Sequence, residues 1–152
     1  MFDYSLEHLF SYVVSVEGPQ LIGPVPEGIL AIFYVTKGEL TGPKLRGRFL
    51  PGGGDWFTVR TDGVGIVDGR ATYESDDGAL IYVAYNGVAD LGEDGYQSFL
   101  RREFPASLKH RVAPRFHTSH PKYLWLNRLQ CLGIGAGDLQ RSEISSDFYA
   151  VR

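Results

Sequence analysis

Glycine and proline punctuate this chain so evenly that no long regular element has room to form between them. Nineteen glycines and eight prolines separate short apolar runs. β-Branched and aromatic residues fill these runs, as in Ile29-Leu30-Ala31-Ile32-Phe33-Tyr34-Val35. Such side chains suit a pleated surface, and short strands set off by turn residues mark an all-β sandwich or barrel. The pattern predicts strands over residues 6–17, 29–36, 44–50, 55–61, 64–75, 79–86, 112–118, 123–134 and 143–151. One short helix is expected over 94–103, with Asp94 as its cap and Tyr96, Phe99 and Leu100 at helical spacing. The basic segment Ser107 to Arg111 reads as loop. Gly133-Ile134-Gly135-Ala136-Gly137 reads as a hairpin loop, because no βαβ unit surrounds it to make a dinucleotide fingerprint.

At 152 residues, with no repeat or linker, the chain is expected to form a single domain spanning 1–152. A net charge of −3 argues against a nucleic-acid footprint or a polybasic membrane patch. No apolar run approaches the ~20 residues of a membrane span, and the acidic start Met1-Phe2-Asp3-Tyr4-Ser5-Leu6-Glu7 is unlike a secretory leader. The lone Cys131 cannot pair within the chain, which fits a reducing compartment. The cytoplasm is the expected location.

Leu50-Pro51-Gly52-Gly53-Gly54-Asp55-Trp56 sets a carboxylate and an indole directly after a glycine-rich turn. Strand alternation puts Asp55, Phe57 and Val59 on one face and Trp56, Thr58 and Arg60 on the other. With the Phe57 face as core, Asp55 sits at its rim. Partial burial there raises a carboxyl pKa and suits it to general acid–base work. The plainer alternative is an Asp that accepts hydrogen bonds from turn amides.

The hairpin Ser75-Asp76-Asp77-Gly78-Ala79 suits a three-residue loop with Gly78 left-handed. It places Thr72 opposite Tyr82, with Asp68, Arg70 and Tyr82 on a polar face and Val67, Ala71, Tyr73, Ile81, Val83 and Tyr85 on an apolar one. Arg60, Asp68 and Arg70, walled by Trp56 and Tyr82, make a candidate anion-binding pocket. Equally, such residues form surface ion pairs on a solvated sheet. Tyr123, Trp125 and Asn127 share a face of the 123–134 strand, where Asn127 can orient a ligand carbonyl or hydroxyl or, equally, satisfy backbone groups in a buried strand. His117 and His120 lack a third metal ligand, and no nucleophile elbow or phosphate loop is present.

The blocks Gly42-Pro43-Lys44-Leu45-Arg46-Gly47, Leu50 to Trp56, Arg60-Thr61-Asp62-Gly63, Asp68-Gly69-Arg70 and Asp77 to Val83 occur in order. Pro114-Arg115-Phe116 and Tyr123-Leu124-Trp125-Leu126-Asn127 follow them. Together they resemble the domain-of-unknown-function family 3237, also called uncharacterised protein family 0311, from about Leu9 to Val151. The resemblance implies a compact, often oligomeric antiparallel β-barrel and no assured activity. Two departures from the family pattern are His117, where an acid is common, and Gly69 within the Asp-x-Arg block.

Residues and resemblance together give a compact all-β antiparallel barrel with one short helix, binding a small organic molecule at one open end. The expected function is a cofactor-independent isomerase, lyase or cyclase that moves a proton on a carbonyl compound, polyketide-like or aromatic. Asp55 is the expected proton carrier. Arg60, Arg70 and Tyr82 are expected to stabilise an oxyanion, and Trp56, Asp68, Trp125 and Asn127 to hold substrate. No cofactor or metal is expected, and neither nucleic acid nor membrane as partner. The alternatives are a lipocalin-like carrier with the same pocket, and a homodimer whose exposed aromatics form the interface.

Overall fold

Nine strands, one short α-helix and one 3-10 helix form in the computed structural model, which describes all of residues 1–152. The strands are β1 (Leu6–Val25), β2 (Gly28–Thr41), β3 (Gly47–Phe49), β4 (Gly54–Val59), β5 (Val64–Ser75), β6 (Leu80–Asp90), β7 (Leu108–His117), β8 (Cys131–Asp138) and β9 (Glu143–Val151). Helix α1 (Gly95–Leu100) follows β6, and the 3-10 helix (Pro121–Arg128) follows β7. All pairings are antiparallel, and the ladder closes on itself. It runs β1, β9, β8, β7, β6, β5, then β3 and β4, then β2 and back to β1. Closure leaves no free sheet edge.

β3 and β4 lie end to end and share one position in the ring. β3 pairs with Glu39 and Leu40 of β2, whereas β4 pairs with Ile29 to Tyr34. The Pro-Gly segment between them keeps its place in the wall, because Leu50 N–H donates to Thr72 O at 2.8 Å and Val35 N–H donates to Gly53 O at 2.8 Å. Gly52 turns at φ +100°, a conformation glycine adopts without a Cβ penalty. A Cβ on Gly53 would lie 2.7 Å from Arg70 O, and one on Gly54 would lie 2.5 Å from Phe33 O. The glycines therefore let this stretch squeeze between two neighbouring strands and deliver Asp55 at the first full turn of the β4 pleat.

Alternation divides each strand between solvent and interior. One end of the interior is filled by rings: Phe10 stacks on Phe148 at 5.0 Å, and Phe49 meets Tyr73 edge-on at 4.7 Å. Toward the other end, Phe99 of α1 packs against Phe57 and Phe104. Between them lies the cavity described below.

The 75–79 hairpin forms with the expected register, Thr72 opposite Tyr82 and Gly78 at φ +86°. Helix α1 begins after Asp94, whose side chain makes no capping hydrogen bond. Three expectations change. The run 123–134 is not one strand: residues 121–128 form the 3-10 helix and β8 starts at Cys131. Pro121 sits in its first turn, and His120 Nδ1 accepts from Lys122 N–H. Asp77 then anchors the helix, accepting from Tyr123 OH at 2.8 Å and Lys122 Nζ at 2.6 Å. The basic segment from Leu108 is the start of β7, not loop. Gly133, Gly135 and Gly137 are not a turn but the inward face of β8, where the wall carries no side chains.

Candidate functional site

A cavity lies inside the barrel between the ring-filled end and the α1 end. Thirteen of its seventeen lining residues are hydrophobic, among them Val14, Phe33, Val67 and Leu139. Its unfilled space is about 660 Å³ when counted out through the mouth, but only about 50 Å³ admits the centre of a water molecule. The space is therefore narrow, below the ~150 Å³ of an apolar cavity that holds benzene, so an organic guest must enter from the mouth or move side chains aside. Its polar groups are few: Asp55, Tyr12, Tyr85 and His110 line it, and Ser146 contacts His110.

These groups meet through one device used twice. In register, Asp55 of β4 lies opposite Gly69 of β5, and Gly69 lies opposite Tyr85 of β6. A Cβ on Gly69 would fall 2.2 Å from the Tyr85 ring. The bare glycine thus lets Tyr85 lie across β5 toward Asp55. Likewise His110 of β7 lies opposite Gly135 of β8, and Gly135 opposite Ser146 of β9. A Cβ on Gly135 would fall 2.3 Å from Ser146 Oγ and 2.6 Å from His110 Nε2. Across that glycine His110 Nε2 and Ser146 Oγ hydrogen-bond at 2.6 Å. Glycine inside a strand marks a close approach, and here it admits a pair of side chains from the two flanking strands.

Tyr12 of β1 joins the two pairs. It lies opposite Ser146 in the β1–β9 ladder and lines the cavity together with Tyr85. The hydroxyl of Tyr73, beneath this cluster, is buried without a hydrogen-bond partner. Burial pushes the Tyr12 phenol up to about 12 and that of Tyr85 well above its ordinary value, so both are neutral donors at ordinary pH.

Asp55 is the one carboxyl in the cavity. Its Oδ1 accepts from Asp68 N–H at 2.9 Å. The β4–β5 ladder skips Trp56 and Phe57, so the carboxylate takes the place of a backbone acceptor. Desolvation raises the Asp55 pKa to about 7, outweighing that hydrogen bond, and the nearby Asp68 charge adds to the rise. His110 moves the other way. Desolvation, with Arg111 assisting, lowers it to about 4. Near neutral pH the cavity thus holds a carboxyl poised between its two forms and an uncharged imidazole.

Of the residues singled out from sequence, Asp55 alone lines the cavity. Trp56, Arg60, Arg70 and Tyr82 occupy the outer face, where alternation puts them. The Arg70 guanidinium lies over the Trp56 ring at 5.2 Å and bonds Asp68 at 3.3 Å. Arg60 pairs with Asp62 beside its own turn. Tyr82 is 40% exposed and packs beside His117. The expected convergence of these four in one concavity does not occur: they spread over the convex outer wall. Trp125 lies on the 3-10 helix, half-buried against the core. Asn127 holds the preceding loop, accepting from Thr118 N–H and donating to Thr118 O, each at 2.8 Å.

Sequence reasoning passed over Tyr12, Tyr85, His110 and Ser146. The signal was present as glycine at inward strand positions, Gly69 and Gly135. In the structure, no group of three or more His, Cys, Asp or Glu side chains gathers in a way that could hold a metal ion.

Comparison with known proteins places this barrel among relatives. The model of a family described as protein of unknown function, DUF3237, matches residues 4–151. A UPF0311 protein of Clostridium acetobutylicum is 32% identical over 127 residues, covering 82% of this chain and 80% of its own. The crystal structure of a protein with unknown function from the same organism superposes with a TM-score of 0.90. It is 27% identical and covers 100% of this chain and 99% of its own. An enzyme from Penicillium herquei shares the fold at a TM-score of 0.75 and 24% identity, over 100% of this chain and 97% of its own.

Proposed function

The chain belongs to the DUF3237 family, described as proteins of unknown function, and from its own cavity we propose a cofactor-independent proton-transfer enzyme. The substrate is a flat carbonyl compound, aromatic or polyketide-like, and the reaction is an isomerisation, elimination or ring closure that passes through an enol or enolate. The observation that carries this reading is the position of Asp55: a single carboxyl, titrating near neutrality, at the wall of an apolar slot. A general acid or base works best with a pKa near the operating pH. An apolar enclosure strengthens the interactions made within it.

Asp55 exchanges a proton with the carbon next to the carbonyl. The Tyr85 hydroxyl, brought across Gly69 toward Asp55, donates to the oxygen on which charge develops, with Tyr12 behind it. The outer-wall positions of Arg60, Arg70 and Tyr82 shift the oxyanion role to these two tyrosines. A lipocalin-like carrier would use the same slot, but would have no use for a carboxyl with so raised a pKa.

Tetralone and indanone, two flat aryl ketones, test the reading without the natural substrate. In deuterium oxide, proton NMR follows loss of the hydrogens next to the carbonyl. Wild-type protein is expected to accelerate exchange, and Asp55→Asn to lower the enzymic rate by ~10²-fold or more. Exchange at the uncatalysed rate with wild type, or an unchanged rate in Asp55→Asn, refutes the assignment.

A further inference from the structure

Rows of inward side chains cross the wall formed by β7, β8, β9 and β1. At the ring-filled end the row is Val112, Gly133, Phe148 and Phe10. The next is His110, Gly135, Ser146 and Tyr12. The third, nearer the α1 end, is Leu108, Gly137, Ile144 and Val14, and all four of these line the cavity. β8 thus places a glycine in every row.

The first two glycines are demanded by their neighbours. A Cβ at Gly133 would fall 2.6 Å from Val112 Cγ2 and 2.8 Å from Phe148 Cε1, and one at Gly135 would fall 2.1 Å from Ser145 O. Gly137 differs. A Cβ there would meet nothing closer than Ile144 Cγ1 at 3.7 Å, with Ile144 Cδ1 and Leu139 Cδ2 each at 3.8 Å. Those are ordinary van der Waals contacts. Its φ is not among the positive ones, so the backbone accepts any L side chain. A strand glycine usually marks a bulge or a close approach, and otherwise only weakens the strand. Crowding and backbone conformation both leave Gly137 unexplained. What its missing side chain does is keep one gap in a row that Leu108, Ile144 and Val14 otherwise fill.

We propose that Gly137 sets the size of the guest, and that the hydrocarbon rings of a flat substrate lie on the bare β8 backbone between Leu108 and Ile144. The proposal takes the guest's chemistry from the proton-transfer reading and adds where its rings go. The backbone of β8 is paired on both sides, to β7 and to β9, so it offers a ring a surface without free hydrogen-bonding groups. Leu108, Ile144 and Leu139 surround that surface with hydrocarbon. The apolar part of the substrate suits this place, and its carbonyl is left for Asp55 on the β4 side of the same cavity.

The test fills the gap in steps with Gly137→Ala, Gly137→Val and Gly137→Leu, and measures binding of tetralone, which has two fused rings, and of cyclopentanone, which has one small ring, by titration calorimetry. Gly137→Ala should unfold in urea at the wild-type midpoint or above it. Tetralone affinity should fall along the series, by about tenfold or more at Gly137→Leu, the scale on which a pocket discriminates by added carbons. Cyclopentanone affinity should change by about threefold or less. Ala136→Leu, an equal addition on the other face of β8, should leave tetralone affinity within about twofold. Adding Ile144→Ala to Gly137→Leu should regain most of the loss, because it returns the space from the neighbouring strand. Where Gly137→Leu does not fold, the Ala and Val variants decide the same comparison. No tetralone binding to wild type, undiminished binding along the series, equal losses for the two ketones, or a Gly137→Ala protein as destabilised as Gly135→Ala overturns the proposal. Asp55→Asn should bind tetralone as wild type does. A wild type that binds tetralone without exchanging its hydrogens therefore refutes the proton-transfer reading alone, and the affinities along the series test Gly137 in either case.

Discussion

Replacing Asp55 by Asn should make the protein more stable above neutral pH, and the gain should vanish in acid. A carboxyl in water ionises near 3.8, and the cavity raises that to about 7. Because the folded-state pKa is the higher one, the folded protein binds more protons than the unfolded chain between those two values. Stability then falls as pH rises through the window. At 1.36 kcal/mol per pH unit, the full window corresponds to ~4 kcal/mol, an upper bound because relaxation and water entry soften desolvation. Asn keeps the shape and an oxygen to accept the Asp68 N–H, so the two proteins should match below about pH 4, where Asp55 is neutral in both states.

His110 contributes the opposite slope. Its folded pKa of about 4 lies below its ordinary 6.5, so its part of the stability is complete above about 6.5 and is lost as pH falls toward 4. In wild type the two slopes largely cancel over the range they share. Asp55→Asn removes one of them. The assay is urea unfolding followed at intervals from pH 4 to 8. The wild-type curve should be nearly flat through the shared range, and the variant's should climb by ~2–4 kcal/mol before levelling off above about pH 6.5. A difference between the two proteins that does not change with pH would refute the argument, since it would mean that Asp55 ionises in the folded state as it does in water.

The two interior glycines should behave differently when given a methyl group. In Gly135→Ala the new Cβ would meet Ser145 O at 2.1 Å, a backbone atom that cannot move aside, so a loss of about 3 kcal/mol or more is expected by urea unfolding. In Gly69→Ala the obstacle is the far end of the Tyr85 side chain, so ~1 kcal/mol or less should be lost. Ketone exchange should nonetheless drop, because Tyr85 must leave Asp55. Arg70→Ala and Tyr82→Phe, on the outer wall, should leave exchange within about twofold of wild type. A tenfold loss in either would return the oxyanion role to the outer face, the effect of a missing charge-stabilising donor being at least that large.

Period-two alternation made much of this barrel legible in the sequence. The Thr72–Tyr82 register follows from one turn residue, Gly78, and the apolar face from Val67 to Tyr85 follows from that register. The same alternation puts Asp55 inside and Trp56, Arg60 and Arg70 outside. The expected pocket of arginines set that geometry aside in favour of residue chemistry, and the structure sides with the pleat. The 3-10 helix was hidden because Tyr123, Trp125 and Asn127 alternate like a strand. What turns the run into a helix is distant: Asp77, on another hairpin, gathers Lys122 and Tyr123. Tyr12, His110 and Ser146 were hidden for a related reason. Their meeting depends on four strands in register, β7, β8, β9 and β1, and one sequence does not print the order of strands around a ring.

The opposed shifts of Asp55 and His110 have one origin, and that origin sets the resting state of the cavity. Apolar walls penalise charge of either sign, so the carboxyl gains a proton more easily and the imidazole more reluctantly than in water. The state favoured near neutrality is therefore the uncharged one, acid on one side of the slot and base on the other. In that state Asp55 holds the proton that the carbon of an enol accepts. On the proposed reading, a site whose carboxyl rests protonated favours the direction from enol to ketone. Its rate with an enol should fall above about pH 7, where Asp55 has lost the proton it donates, and exchange on a ketone, which needs the carboxylate, should rise over the same range. Opposite pH profiles for the two directions would be the signature of one carboxyl serving both, and parallel profiles would show that another group moves the proton on carbon.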